Sequence, residues 1–286
     1  MSFWWIQSLN SLALGGVLFT LAAGFSLIFG LMRIANLSHG AYFMLGAYVG
    51  LSVLDRGYGF LSAVLAAGAV VGLLGGLAER LILRRLAGNS LSQVLATLGI
   101  AFVIADFSLW LWGGDPRPVS PPQLLAGTIQ LFGLSFPLYR LAVLLLSIVL
   151  LISLWLLLEK TRLGMMIRAS VDDMQMARGI GIPSSRLFTI VFCLGTALAG
   201  MGGAIAAPIL SVYPGMDADM LPLALVVVIL GGLGSLAGAF IGSMAIGFIY
   251  SFGQALFPDL AYVILFLPMV VILAVRPRGL FGRIAA

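Results

Sequence analysis

Charge is the scarcest commodity in this 286-residue sequence: Asp, Glu, Lys and Arg make up 9% of it, against about 25% in a soluble domain. So few charges exclude a water-facing surface over most of a chain this long, and lipid must be the solvent for much of its exterior. The single cysteine, Cys193, excludes an intrachain disulfide. The single histidine, His39, has no second histidine or thiol cluster to join, which excludes an ordinary metal site. The only lysine, Lys160, stands in Glu159-Lys160-Thr161 with no glycine before it, so the phosphate-cradling G-x-x-x-x-G-K-[ST] loop is missing. The chain cannot hydrolyse ATP by that mechanism, and no cofactor of its own is expected. Its arginines fall in short clusters between apolar runs, a poor pattern for gripping nucleic acid.

What the sequence has is apolar length. Hydrophobic residues make up 62% of the chain, and the mean hydropathy is +1.16. In lipid every backbone N–H and C=O must be paired internally, so only helices or closed barrels span. The runs here are continuous rather than alternating, which predicts helices. Charges and turn residues cut them into Leu9–Met32, Ile34–Leu54, Tyr58–Ala78, Leu91–Trp112, Leu138–Leu158, Leu187–Leu210, Met220–Leu256 and Leu260–Val275. The seventh is too long for one span and carries Gly231-Gly232-Leu233-Gly234-Ser235 in its middle, where a helix breaks. The run from Met1 to Met32 lacks a basic start and reads as a first helix, not a cleaved signal.

Basic residues collect at Arg80, Arg84 and Arg85, then at Lys160, Arg162, Arg168, Arg178 and Arg186, then at Arg276, Arg278 and Arg283. The intervening loops hold Asp55, Asp115, Asp217, Asp219 and Asp259, with Arg56 and Arg117 nearby. The positive-inside rule puts the three clusters in the cytoplasm, the N-terminus outside and the C-terminus inside. That parity needs an odd number of crossings. The expected fold is therefore all-α: a polytopic transmembrane helical bundle of nine spans, with eight as the fallback, built as one domain over residues 1–286. A proline-rich extracytoplasmic loop is expected over about 113–137.

Gly68, Gly72 and Gly76, and again Gly234, Gly238 and Gly242, repeat every four residues, so each trio lies on one helix face and admits another backbone closely. Packing within the chain and a subunit interface both fit. Two ionisable residues lie within apolar runs, where such groups mark functional sites by default. His39, in Asn36-Leu37-Ser38-His39-Gly40 at the start of the second run, is open to a structural, a ligand-contact or a proton-relay role. Asn36 and Ser38 are good helix N-caps. Asp106, about midway along its run, is expected either to bond a polar neighbour on another helix or to line a cavity. Ser92, Gln93 and Thr97 precede it, with Gln93 and Thr97 one turn apart.

The longest hydrophilic stretch runs from Glu159 to Arg186. Arg168 to Arg178 is predicted as one short helix, with Asp172 and Asp173 near its start and Arg178 near its end, the sense the helix dipole favours. Gly179-Ile180-Gly181 ends it and Pro183 follows. Met166, Ile167, Val171, Met174 and Ala177 give it an apolar stripe, suited to lying on the membrane or to docking a partner.

This stretch resembles the coupling loop, here about residues 159–187, of importer permeases in the branched-chain amino acid ATP-binding-cassette family. Their G-x-x-x-R-A-x-x-x-(D/N)-x-x-x-A-x-x-x-G-(I/V) pattern is matched by Gly164, Arg168, Ala169, Asp173, Ala177, Gly181 and Ile182. Gly24 to Gly46, with its N-x-x-H-G core at Asn36, His39 and Gly40, is similar to the family's N-terminal motif. Gly231 to Gly242 and Arg276 to Gly282 are similar to later ones. The resemblance implies an enzymatically inert permease of a bacterial inner membrane, working with a second related permease in a heterodimer, two cytoplasmic ATPases that hold ATP and Mg, and an extracytoplasmic solute-binding protein. It also implies that Gly164, Arg168, Ala169, Asp172, Asp173, Ala177, Arg178, Gly181 and Ile182 receive the ATPase. Pathway or gating candidates are Asn36, Ser38, His39, Gly40, Asp106, Gly231, Gly232, Gly234 and Ser235, where broken helices would bracket the path. Branched-chain amino acids are the expected solute; urea, short amides and aromatic acids are the alternatives within the family. A stand-alone secondary transporter or channel using Asp106 and His39 is the rival outside it.

Overall fold

A computed structural model of the chain describes residues 2–131, 134–276 and 279–281. Each apolar run is a helix: α1 Ser2–Met32, α2 His39–Asp55, α3 Phe60–Leu81, α4 Ser90–Trp112, α5 Leu138–Lys160, α8 Ser184–Leu210, α9 Met216–Gly231, α10 Leu236–Leu256 and α11 Ala261–Val275. The hydrophilic stretch supplies α6 Arg162–Asp172 and α7 Met174–Gly179. By length and composition α1, α3, α4, α5, α8 and α10 are able to cross a bilayer. The 17-, 16- and 15-residue helices α2, α9 and α11 reach only about 22–26 Å at 1.5 Å per residue, short of a ~30 Å hydrocarbon core. The long seventh run does divide, into α9 and α10.

The interior is built from α1, α2, α8 and α9. In α2, every residue from His39 to Tyr48 is buried, as expected of a helix apolar all round. Glycine allows this density. A Cβ on Gly46 would overlap the Gly200 backbone of α8, and one on Gly203 would overlap the Phe43 carbonyl of α2. Both glycine trios pack inside the chain. Gly68, Gly72 and Gly76 of α3 face Met201, Ala197 and Cys193 of α8; Gly238 and Gly242 face α9, and Gly234 faces Gly30 of α1.

Two faces follow. The α1 end at Met32, the start of α8 and the α9–α10 turn lie together, since Arg84 donates to the Ser185 carbonyl at 2.9 Å and Gly30 meets Gly234. The described members of all three basic clusters gather there, so this is the arginine-rich face; Arg278 and Arg283 lie outside the described residues. The other face carries the Arg117–Asp55 ion pair at 3.8 Å and also Arg140, which donates to Asn10.

The all-α expectation needs one correction. The segment over 113–137 contains a two-stranded antiparallel hairpin, Thr128–Leu131 with Leu134–Pro137, in the register Thr128↔Pro137 and Ile129↔Phe136. Apolar and polar residues alternate there, and Phe136 is buried beneath it. Arg117 and Val212 form a further isolated bridge.

Candidate functional site

The deepest polar feature is the break between α1 and α2. Arg33 takes φ +54°, a left-handed conformation rare outside glycine, and turns the chain back into the bundle. Asn36 and Ser38 do not cap α2 with their side chains. The Asn36 Oδ1 atom accepts from the Ser38 amide (3.1 Å) and hydroxyl (2.6 Å), so the two satisfy each other in a tight Asx turn. The Leu37 amide donates to Thr97 Oγ1 of α4 at 3.1 Å, pinning the connector from the side. Gln93, one turn earlier, donates to the Leu83 carbonyl at 3.0 Å.

His39 is fully buried, and its Nε2 lies 3.0 Å from the Leu21 carbonyl. A carbonyl only accepts, so Nε2 carries the proton, and Nδ1 is left as an acceptor with no partner. The Asn36 Nδ2 donor is equally unpartnered. Leu21 is eleven residues before Met32, about 16 Å of helix, so α2 begins well inside the bundle. The next residue, Gly40, touches the start of α9: a Cβ there would lie 2.6 Å from the Asp217 carbonyl.

The second predicted break sits elsewhere. Gly231, Gly232, Gly234 and Ser235 form the α9–α10 turn at the arginine-rich face, with φ +102° at Gly232 and +79° at Gly234. Ser235 caps α10 by accepting from the Gly238 amide at 3.1 Å. Residues 279–281 close over this turn: Leu280 and Phe281 donate to the Leu230 and Gly231 carbonyls at 2.9 and 3.0 Å. The third and fourth sequence motifs therefore meet in space. Asn36–Gly40 is held instead against Leu21 of α1, Thr97 of α4 and the start of α9.

The hydrophilic stretch folds as two helices, not the single helix expected over Arg168–Arg178. Thr161 caps α6 through the Gly164 amide at 3.1 Å. Asp173 leaves helical geometry (φ −146°, ψ 106°) and its Oδ1 accepts from the Gln175 and Met176 amides at 2.8 and 2.9 Å, starting α7. A short acceptor side chain outcompetes the continuing helix for those amides. Gly164 is required where it stands, because a Cβ would overlap the Leu157 and Leu158 carbonyls. Arg168 donates to the Leu158 carbonyl and pairs with Glu159 at 3.3 Å, strapping α6 to α5. The Ala169 carbonyl accepts from Asp173 at 3.1 Å. Gly181, at φ +90°, folds the chain so that the Ile182 amide reaches the Ala177 carbonyl at 3.0 Å. Arg178 donates to Ser184 at 3.1 Å, and Asp172 is exposed.

The expected apolar stripe is present and is spent inward. Ile167 packs with Leu31, Leu187 and Val191, flanked by Met166, Val171 and Met174, and Ala177 is buried. The outer surface presents Met165, Met176 and Ile180, all more than 60% exposed. Arg33 donates to the Val171 carbonyl at 3.2 Å, linking the α1–α2 connector to the last turn of α6. A cavity of about 390 Å³ lies beside this link, lined by Leu31, Met32, Arg33, Asp172, Asp173 and Phe188 among others.

One functional-looking residue escaped the sequence reading. Glu79 of α3, 1% exposed, receives Arg84 at 2.9 Å and the Thr189 hydroxyl at 2.7 Å, joining α3 to the start of α8. The available signal was a lone carboxylate directly before an arginine cluster. Asp106 behaves unlike either expectation: it is exposed on the outer side of α4, with no partner within the chain among the described residues. No group of three His, Cys, Asp or Glu that could hold a metal occurs among the described residues.

A sequence model of the family described as "Branched-chain amino acid transport system / permease component" matches residues 7–273. The high-affinity branched-chain amino acid transport system permease protein LivH of Escherichia coli (strain K12) is 25% identical over 300 residues, covering 97% of this chain and 95% of the relative. The corresponding permease protein BraD of Pseudomonas aeruginosa is 26% identical over 298 residues, with the same coverage. A probable branched-chain amino acid transport permease protein LivH of Methanocaldococcus jannaschii is 30% identical over 289 residues, covering 93% and 89%. No solved structure matches.

Proposed function

The chain belongs to the branched-chain amino acid transport system permease family, and from that premise we propose that it is the membrane-spanning subunit of an ATP-binding-cassette importer for branched-chain amino acids. In this reading a periplasmic binding protein delivers the solute to the face opposite the arginines, and two ATPases sit on the arginine-rich, cytoplasmic face of a bacterial inner membrane. A second permease completes the passage. The N-terminus is outside and the C-terminus inside, as the arginine distribution favours.

The observation that carries this reading is the α6–α7 unit. Its inner side is fastened to the bundle through Arg168, Gly164 and Ile167, while Met165, Met176 and Ile180 are left outward. A free interfacial helix would turn its apolar side to lipid. This one uses that side to grip its own chain and offers a second apolar surface to a protein. Arg33 then couples α6 to the connector that ends at His39. Displacement of α6 by an ATPase thus reaches the level where α2 begins. ATP and Mg belong to the partner; this chain's residues only receive and transmit the motion.

The test is ATP-driven uptake in vesicles holding the assembled complex. Ile180→Asp and Met176→Asp, both outside the packed core, should each cut uptake about tenfold or more, as charging an interface anchor does, with unchanged membrane levels of the chain. Full uptake in both variants would sink the docking role. Uptake by this chain alone, driven by an ion gradient, would instead establish the secondary-transporter reading.

A further inference from the structure

Asp106 lies on α4 sixteen residues after its start and six before Trp112, its end. Among the described residues it is the one charged side chain on the outward face of a spanning helix away from the helix ends. Its neighbours on that face are Leu95, Phe102, Val103 and Trp110, between 58% and 78% exposed. Gly99 shares the face and is also outward: a Cβ there would meet nothing within 4 Å. The other outward faces differ. On α5 the exposed residues between the helix ends are aliphatic apart from Trp155 and Ser153, whose hydroxyl bonds back to the Val149 carbonyl, and α3 and α11 present mostly leucines and valines.

Lipid accepts the α5 face and rejects the α4 face. A carboxylate within a span is expensive and turns almost always toward protein or water. A glycine on an outward face gives no packing within the chain, yet it lets a foreign backbone approach closely. We propose that the Leu95–Trp110 face of α4 is the seat of a transmembrane helix from a different permease chain, one that brings a basic or hydrogen-bond-donating side chain to the depth of Asp106. This rests on the importer reading, which supplies a second permease but says nothing of which face meets it. A second copy of this chain is the wrong occupant on charge grounds. Two α4 faces laid together would set Asp106 against Asp106, and the face itself carries no cation to answer either one.

The experiment uses the complete complex in membranes, in a Cys193→Ala background that leaves the chain without other thiols. Leu95→Cys, Val103→Cys and Trp110→Cys on α4, with Val149→Cys and Ile152→Cys on α5 as controls, are each loaded with a photoactivatable maleimide and irradiated. The α4 positions should capture the second permease and the α5 positions lipid. In addition, Asp106→Leu should lower recovery of the second permease on an affinity-tagged chain about tenfold or more, a loss of 1.4 kcal/mol or greater, whereas Asp106→Asn, which keeps hydrogen-bonding capacity, should retain most of it. Lipid adducts alone from α4, adducts between two copies of this chain, or modification of α4 by a membrane-impermeant maleimide without any protein adduct would each overturn the proposal. If the unsubstituted chain recovers neither a second permease nor an ATPase, the importer reading itself fails. If it recovers both while the α4 variants behave like the α5 controls, only this assignment fails.

Discussion

The helices α4 and α5 are the same length, 23 residues each, and both lie mostly outside the core, yet they are solvated by different things. On α5 the outward residues between the helix ends are aliphatic apart from Trp155 and Ser153, and both Ser153 and the buried Ser147 bond back to their own helix, at the Val149 and Leu144 carbonyls. Its polar groups are met within the chain: Tyr139 donates to the Ile205 carbonyl of α8, and the Leu158 carbonyl and Glu159 take Arg168 of α6. On α4 polar groups reach in both directions. Inward, Thr97 and Gln93 serve the backbone of the connector and of the turn after α3; outward, Asp106 serves nothing in the chain. Exposure in a single membrane chain is thus two quantities, the surface lipid covers and the surface protein covers. Chemistry separates them where area cannot.

Three substitutions sharpen that difference, in falling order of effect. Transplanting the anomaly is the most costly: Val149→Asp puts a carboxylate in the middle of the lipid-facing side of α5, and membrane integration should be penalised by about 3 kcal/mol, read as the fraction of α5 inserted in a topology reporter. Full insertion would mean that this face is not against lipid. Thr97→Val comes next. It strips the Leu37 amide of its acceptor inside the bundle, and an unsatisfied buried donor costs roughly 1–3 kcal/mol. Denaturation in detergent should register that loss, and an unchanged midpoint would show that water reaches the connector. The smallest change is Ser147→Ala on α5. Removing a buried hydroxyl whose acceptor stays in its helix costs about the net worth of one hydrogen bond, at most roughly 1 kcal/mol, and a larger shift in the same assay would reveal a role for Ser147 outside its own turn.

Much of this architecture was legible beforehand. All nine apolar segments are helices because long uncharged runs have no other way to pair their backbone in lipid. The α9–α10 division was written in Gly231-Gly232-Leu233-Gly234-Ser235, since two of those glycines take positive φ. The hydrophilic stretch stood out as the longest polar one, and Gly164 and Gly181, marked there by a family resemblance, prove to be steric and conformational requirements of its fold. Its internal break was not recognised. Asp173 has the side chain to begin a helix, but two acidic residues in a row near a helix start also suit an uninterrupted one. The depth of His39 was equally hidden, because whether the six connector residues turn back into the bundle depends on partners, Leu21 and Thr97, distant in the chain. Glu79 was masked by the arginines that follow it.

By itself, then, the amino-acid sequence determined that lipid covers much of this protein, the approximate positions of its apolar helices and the location of its one long polar stretch. Those depend on composition and local spacing, which need no knowledge of neighbours. Tertiary structure alone decided that His39 bonds Leu21, that the apolar stripe of α6 and α7 turns inward, that the C-terminal residues close over the α9–α10 turn, and that Asp106 looks out. Each of these is a choice between partners far apart in the chain, and it is made by which backbones glycine allows to touch and which polar atoms are left needing a bond once they do.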